Sequence, residues 1–137
     1  MKNRIALHLL LLIMTVSCDR EQSESATDNM MVRVAELEIK LDQLEAYKTI
    51  LIEEAEASVR LEPGVISIFP MFESENPTHI RILEIYANEE AYKSHLETAH
   101  FKHYKTTTEN MVVSLKLSDM NAMDTQTMSK IFKRLDQ

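Results

Sequence analysis

Glu84 stands in a run that is otherwise almost wholly apolar, among Ile80, Ile82, Leu83 and Ile85, and is followed by Tyr86. A carboxylate in such surroundings is costly unless it is paired or hydrogen-bonded. Its burial would raise its pKa and suit it to general acid or base work. Three of the five histidines, His95, His100 and His103, follow within nine positions. His100 and Tyr104 are four apart, so on one helical face an imidazole and a phenol are expected to point into the same cleft. Neutral histidine is the commonest general base near pH 7, which makes His100 with Glu84 the expected acid–base pair. Plainer roles stand beside these. Glu84 could form a structural ion pair, and His95 and His103 read as surface or helix-packing residues. His79 at a strand start reads as turn chemistry. His95, His100, His103 and Glu84 match no standard metal-ligand spacing, so no metal is expected.

The elements that must position these groups follow from periodicity. Val32 to Ile39 alternates Ala35, Leu37 and Ile39 against Glu36 and Glu38, the pattern of a strand. Asp42 is the expected N-cap of a helix in which Leu44, Tyr47, Ile50, Leu51, Ala55 and Val59 recur at three- and four-residue steps. That helix ends near Leu61, stopped by Pro63-Gly64. Val65 to Phe72 predicts a strongly apolar strand, with Ile66, Ile68 and Phe72 on one side and Val65, Phe69 and Met71 on the other. Asn76-Pro77 turns the chain into a second strand, His79 to Ala87. Asn88 caps a helix over Glu89 to Leu96, Thr98 caps another from Ala99 to about Asn110, and Met111 to Leu117 forms the last strand. Met128, Ile131, Phe132 and Leu135 mark a short amphipathic C-terminal helix. The order is β-α-β-β-α-β with the second helical unit split at Thr98, an α+β ferredoxin-like arrangement. Helices cover one face of such a sheet, and a homodimer packing sheet against sheet would cover the other.

The chain has 137 residues, 45% hydrophobic and 27% charged, with one Gly, three Pro, one Cys and no Trp. That supports one packed domain and excludes collagen-like, disordered and disulfide-scaffold classes. One Cys cannot form an intramolecular disulfide. A net charge of −7 without a basic patch disfavours nucleic acid and anionic membrane surfaces as partners. The nine methionines are expected to fill the core or a dimer seam. At the N-terminus, Lys2 and Arg4 precede an apolar stretch from Ile5 to Val16, which is shorter than the ~20 residues that span a bilayer. Residues 1–17 therefore read as a signal peptide. Thr15-Val16-Ser17-Cys18 resembles the lipobox of bacterial lipoproteins, which implies cleavage before Cys18 and lipid attachment to it. Residues 18–29, polar and acidic, read as a flexible tether. The folded domain is expected over 30–118, with a C-terminal extension over 119–137. The expected location is the cell envelope, at the outer membrane, held by the lipid anchor alone.

The ordered set Glu84-x-Tyr86, Ala91, His95, Thr98, His100 and Phe101, with the Glu62-Pro63-Gly64 turn ahead of the second strand, resembles the antibiotic biosynthesis monooxygenase family. The resemblance covers roughly Val32 to Leu117. It implies a dimeric α/β barrel of ferredoxin-like protomers, with His100 and Glu84 lining a pocket between helices and sheet. Several members of the family oxidise phenols or quinols with O₂ and neither metal nor flavin. The implied reaction is deprotonation of a small quinol or phenolic substrate by His100, electron donation to O₂, and stabilisation of the developing charge by Tyr86 or Tyr104. No cofactor is implied. The chain departs from the family in having no Trp, and Tyr86 stands where some quinol-oxidising relatives carry one. Fold carries over more safely than chemistry. An isomerase of a small hydroxyketone, like the enzyme that breaks down autoinducer-2, and a non-catalytic small-molecule-binding envelope module are the alternatives.

Overall fold

The computed structural model describes residues 29–124. The signal peptide, Cys18, most of the tether and the C-terminal helix fall outside the described residues. Among these residues, four strands and three α-helices run in the expected order: β1 (Met31–Ile39), α1 (Leu44–Leu61), β2 (Val65–Phe72), β3 (His79–Tyr86), α2 (Glu89–Leu96), α3 (Ala99–Thr108) and β4 (Val112–Met120). The strands form one antiparallel sheet in the order β2-β3-β1-β4. This is the α+β ferredoxin-like arrangement. β4 begins one residue later than the alternation predicts and runs on to Met120, and α3 stops at Thr108 rather than Asn110.

Strand pairing decides which side chains meet the helices. Ala35 and Leu37 lie opposite Ile82 and Ile80, and Arg33 lies opposite Glu84, so these residues share one face. Ala35, Leu37, Ile39, Ile80 and Ile82 are buried there under Leu44, Tyr47, Leu51 and Tyr104. In β2 the register shifts between Val65 and Ser67. One extra residue reverses the side on which the following side chains project. Val65 therefore pairs with Tyr86 on the helix face, together with Ile68, Pro70 and Phe72, while Ser67, Phe69 and Met71 turn to the open face. Uninterrupted alternation had placed Val65 with Phe69 and Met71.

Two capping expectations hold and one does not. Asn88 Oδ1 accepts from the Ala91 amide at 2.8 Å, and Thr98 Oγ1 accepts from the Phe101 amide at 3.3 Å. Asp42 caps nothing: it lies in a 3-10 turn over Leu41–Gln43 that winds directly into α1. The Gln43 and Leu44 amides bond to the carbonyls of Lys40 and Leu41, so the backbone does what the side chain was expected to do. Along α1 the inward residues are Leu44, Tyr47, Leu51, Glu54, Ala55 and Ser58, whereas Val59 is exposed. The buried face thus turns polar in its second half, where Glu54 meets His95 of α2, while Tyr47 in the first half meets Tyr104 of α3.

The Pro63-Gly64 turn does more than stop α1. Gly64 has no positive φ, so its lack of a side chain serves close approach rather than backbone freedom. A Cβ at this position would lie 2.4 Å from Ala91 Cβ in the first turn of α2. The Gly64 carbonyl also accepts from the Ala87 amide at 2.8 Å, tying the start of β2 to the end of β3. Gly64→Ala is therefore expected to destabilise the fold by about 1–3 kcal/mol in urea denaturation. Adding Ala91→Gly should recover part of that loss, less the roughly 1 kcal/mol cost of glycine in a helix. Additive effects in the double-mutant cycle would show that the close approach is not what requires glycine.

Candidate active site

A cavity of about 310 Å³ opens between the helix face of the sheet and α2 and α3. Strand residues Arg33, Glu84 and Tyr86 form one wall. Glu54 from α1, Tyr92 and His95 from α2, and Phe101, Tyr104, Lys105 and Thr108 from α3 form the others. The α3 contribution follows helical spacing, with residues at i, i+3, i+4 and i+7 presented to one side. His100 lies one position off that stripe and is not among the residues lining the cavity. The cleft expected to hold both His100 and Tyr104 thus takes the phenol, while the imidazole turns toward Glu62.

Glu84 faces the cavity as its apolar setting predicts. Burial pushes its carboxyl up from the ordinary carboxylate range, partly offset by the Tyr86 hydroxyl, which donates to Oε2 at 3.1 Å. Glu54 is buried and likewise raised by loss of solvent, against a hydrogen bond from Ser58 Oγ at 2.7 Å. The phenols move the same way. Burial and the neighbouring Glu84 push Tyr86 upward, and burial takes Tyr104 up to about 12. Both are therefore neutral donors at physiological pH. Tyr47 and Tyr104 share a buried hydroxyl–hydroxyl bond of 2.7 Å that ties α1 to α3.

Arg33 supplies the cationic end of the cavity. Its guanidinium bonds Asp119 at 2.7 Å and stacks over the Tyr92 ring at 4.5 Å. Tyr86 packs against Tyr92 and His95 with ring centroids 5.3 and 5.5 Å apart, and His95 against Phe101 at 4.6 Å. An aromatic-walled chamber with convergent donors and protonatable groups is suited to holding a small ring and moving its protons.

His95 is the imidazole that reaches the cavity, and it is only 2% exposed. Its Nδ1 meets Glu62 Oε1 at 3.0 Å, and its Nε2 lies 3.6 Å from Glu54 Oε1. His100 Nε2 meets the same Glu62 oxygen at 2.5 Å. The packing role read for His95 is thus combined with a place in the cavity wall. His103 is exposed, and His79 pairs with Glu73 at 3.2 Å beside the turn, in keeping with turn chemistry. Sequence reasoning passed over Glu54, and it used Glu62 only as part of a turn. The helical stride from Tyr47 and Leu51 leads to Glu54 and Ser58, a signal hidden because both are polar.

Residues 30–107 match the antibiotic biosynthesis monooxygenase family, and the chain belongs to it. A Bacteroides thetaiotaomicron protein named as a candidate member of that family is 48% identical, with a TM-score of 0.71 over 74% of this chain and 95% of its own. A candidate monooxygenase from Lactobacillus acidophilus is 32% identical, with a TM-score of 0.66 over 67% of this chain and 44% of its own. A Nitrosomonas europaea protein named as a candidate of the same family is 25% identical, with a TM-score of 0.66 over 69% of this chain and 91% of its own. No curated protein matches the chain.

The raised Glu84 carboxyl has a consequence for stability. The folded state binds its proton more tightly than the unfolded chain does, so this group's contribution is greatest at low pH. It is lost as pH rises from the unfolded value, near 4.5, through the folded one. Glu84→Gln keeps an oxygen to accept from Tyr86 and removes the titration. The melting temperature of the variant relative to wild type is expected to rise between pH 4 and pH 8. A flat or falling difference would mean that Glu84 is stabilised as the carboxylate.

Proposed function

We propose that this protein is an envelope-anchored monooxygenase that oxidises a small quinol or phenol with O₂, using its own side chains for the acid–base steps. What supports this reading above all is the aromatic-walled cavity that brings Glu84, Tyr86 and His95 together in a chain of this family. A phenol seated there would give its proton to His95, with Glu62 and His100 behind that imidazole able to share the charge. The resulting phenolate can donate an electron to O₂. Overall, one oxygen atom enters the ring and the other leaves as water, with all four electrons drawn from the substrate. Tyr104, with Tyr47 donating to it, would keep its own proton for the developing oxyanion, and Tyr86 would join it on giving up its hydrogen bond to Glu84. Glu84, with its raised carboxyl, is the second proton carrier. His100 acts as a positioning residue through Glu62.

Two further parts of the proposal concern assembly and place. The open face of the sheet carries Phe69 and Met71, 58% and 40% exposed, which a second copy of the chain would cover. Lipid attachment at Cys18 would hold the domain at the outer membrane.

Oxygen consumption against a panel of reduced quinols and phenols, with chelator present throughout, tests the function. Uptake above autoxidation is expected. His95→Gln should lower it by roughly 100-fold or more, the usual worth of a general base. His100→Ala should lower it less. No uptake across the panel by the folded protein would overturn the oxygenase reading. A ligand-induced rise in melting temperature without turnover would then identify a binding module.

A further inference from the structure

Behind the cavity wall, three metal-capable side chains converge from three separate elements. Glu62 lies just past the end of α1, His95 in the last turn of α2, and His100 in the first turn of α3. Their donor atoms all lie within 4.8 Å of one another. Two imidazole nitrogens and a carboxylate oxygen are donors that borderline first-row divalent ions accept. The sequence hides the set, because His95 and His100 are 33 and 38 positions from Glu62.

Two features suggest more than a hydrogen-bonded trio. The first is an outer shell. With Nδ1 of His95 facing Glu62, its Nε2 faces Glu54 Oε1 at 3.6 Å, and Glu54 is itself held by Ser58 at 2.7 Å. A metal-bound histidine characteristically turns its other ring nitrogen to a carboxylate, which sets the tautomer and orients the ring. The second is rigidity. The Glu62 amide bonds the Ser58 carbonyl, its own carbonyl accepts from Val65, and the side chains of Asn88 and Thr98 cap α2 and α3. The backbone that carries the three residues is thereby fixed, and the side chains need only open from hydrogen-bonded separations of 2.5 and 3.0 Å to the ~3.3 Å between ligand atoms of a tetrahedral ion. Their side chains are 12%, 3% and 20% exposed, so the site is shielded yet reachable past His100.

We propose that Glu62, His95 and His100 form a binding site for a divalent transition-metal ion of the zinc class, with Glu54 as the outer-shell partner of His95. Three protein donors leave a position for water or another small ligand. The site does not rest on the oxygenase reading. An ion there would occupy nitrogens that the proposed proton transfer uses, so loading would oppose that chemistry rather than supply it.

Cobalt(II) reports such a site through visible absorption without any turnover. Titration of the purified, chelator-stripped protein is expected to give a d–d band that saturates at one equivalent and is displaced by Zn(II). Glu54→Ala should weaken cobalt binding by about 10- to 100-fold, the usual cost of removing an outer-shell partner. Glu62→Gln and His100→Ala should weaken it further, and exposed His103→Ala should leave it unchanged. Far-ultraviolet circular dichroism would confirm that each variant is folded. No saturable band in the wild type would overturn the site. So would binding that survives both Glu62→Gln and His100→Ala, or binding lost in His103→Ala. Because the readout is binding, its failure leaves the oxygen-uptake result standing, and the reverse also holds.

Discussion

Glu54, Glu62 and Glu84 lie within or against the single layer of helices, where each ionised carboxylate costs several kcal/mol unless hydrogen bonds and opposite charge meet it. Ser58 and His95 answer for Glu54, His95 and His100 for Glu62, and Tyr86 for Glu84. His95 touches two of these groups and packs on Tyr86 and Phe101, so it is the member through which the polar network and the cavity wall are joined. Among the described residues, no buried side-chain nitrogen or oxygen lacks a hydrogen-bond partner. A network this fully satisfied is rigid, because displacing one member strands another at full desolvation cost.

The break at Thr98 makes that network possible. On one continuous helix, residues five apart point roughly 140° away from each other. Splitting the segment into α2 and α3 lets His95 and His100 both reach Glu62 Oε1. Thr98 serves the break twice, accepting from the Phe101 amide and donating to the His95 carbonyl at 2.8 Å. Gly64 completes the arrangement by allowing α2 to settle against the turn that carries Glu62. Cavity, turn and helix break are therefore one construction.

The sheet treats its two faces differently. Toward the helices it presents the core and, at one end, Arg33, Glu84 and Tyr86. On the other face, an ion-pair cluster of Glu36 with Arg81 and Lys116, extended by Arg81 to Glu73, occupies one region, and Phe69 and Met71 occupy another. The helix side of edge strand β4 is also only partly covered, since Val113, Leu115 and Leu117 are about half exposed beside the cavity. Both partly bared regions follow from three helices that all lie on one face of a four-stranded sheet.

Much of this was legible in the sequence. Among the described residues, alternation and helical spacing located the four strands and three α-helices, because these periods are set by backbone geometry and a one-sided core. Asn88 and Thr98 announced their helices, because a cap is a contact between near neighbours in the chain. Glu84 was legible as a carboxyl forced among isoleucines. Tertiary structure decided the rest. It set the face of Val65, through a one-residue bulge in its pairing with β3, whereas the loss of Asp42 as a cap was local, a backbone turn from Lys40 to Leu44. It also made His95 rather than His100 the imidazole in the cavity wall, and gathered Glu54 and Glu62 around it. The outcomes at Val65, His95, Glu54 and Glu62 depend on how elements far apart in the chain pair and pack on one another, of which the linear spacing of residues carries no record.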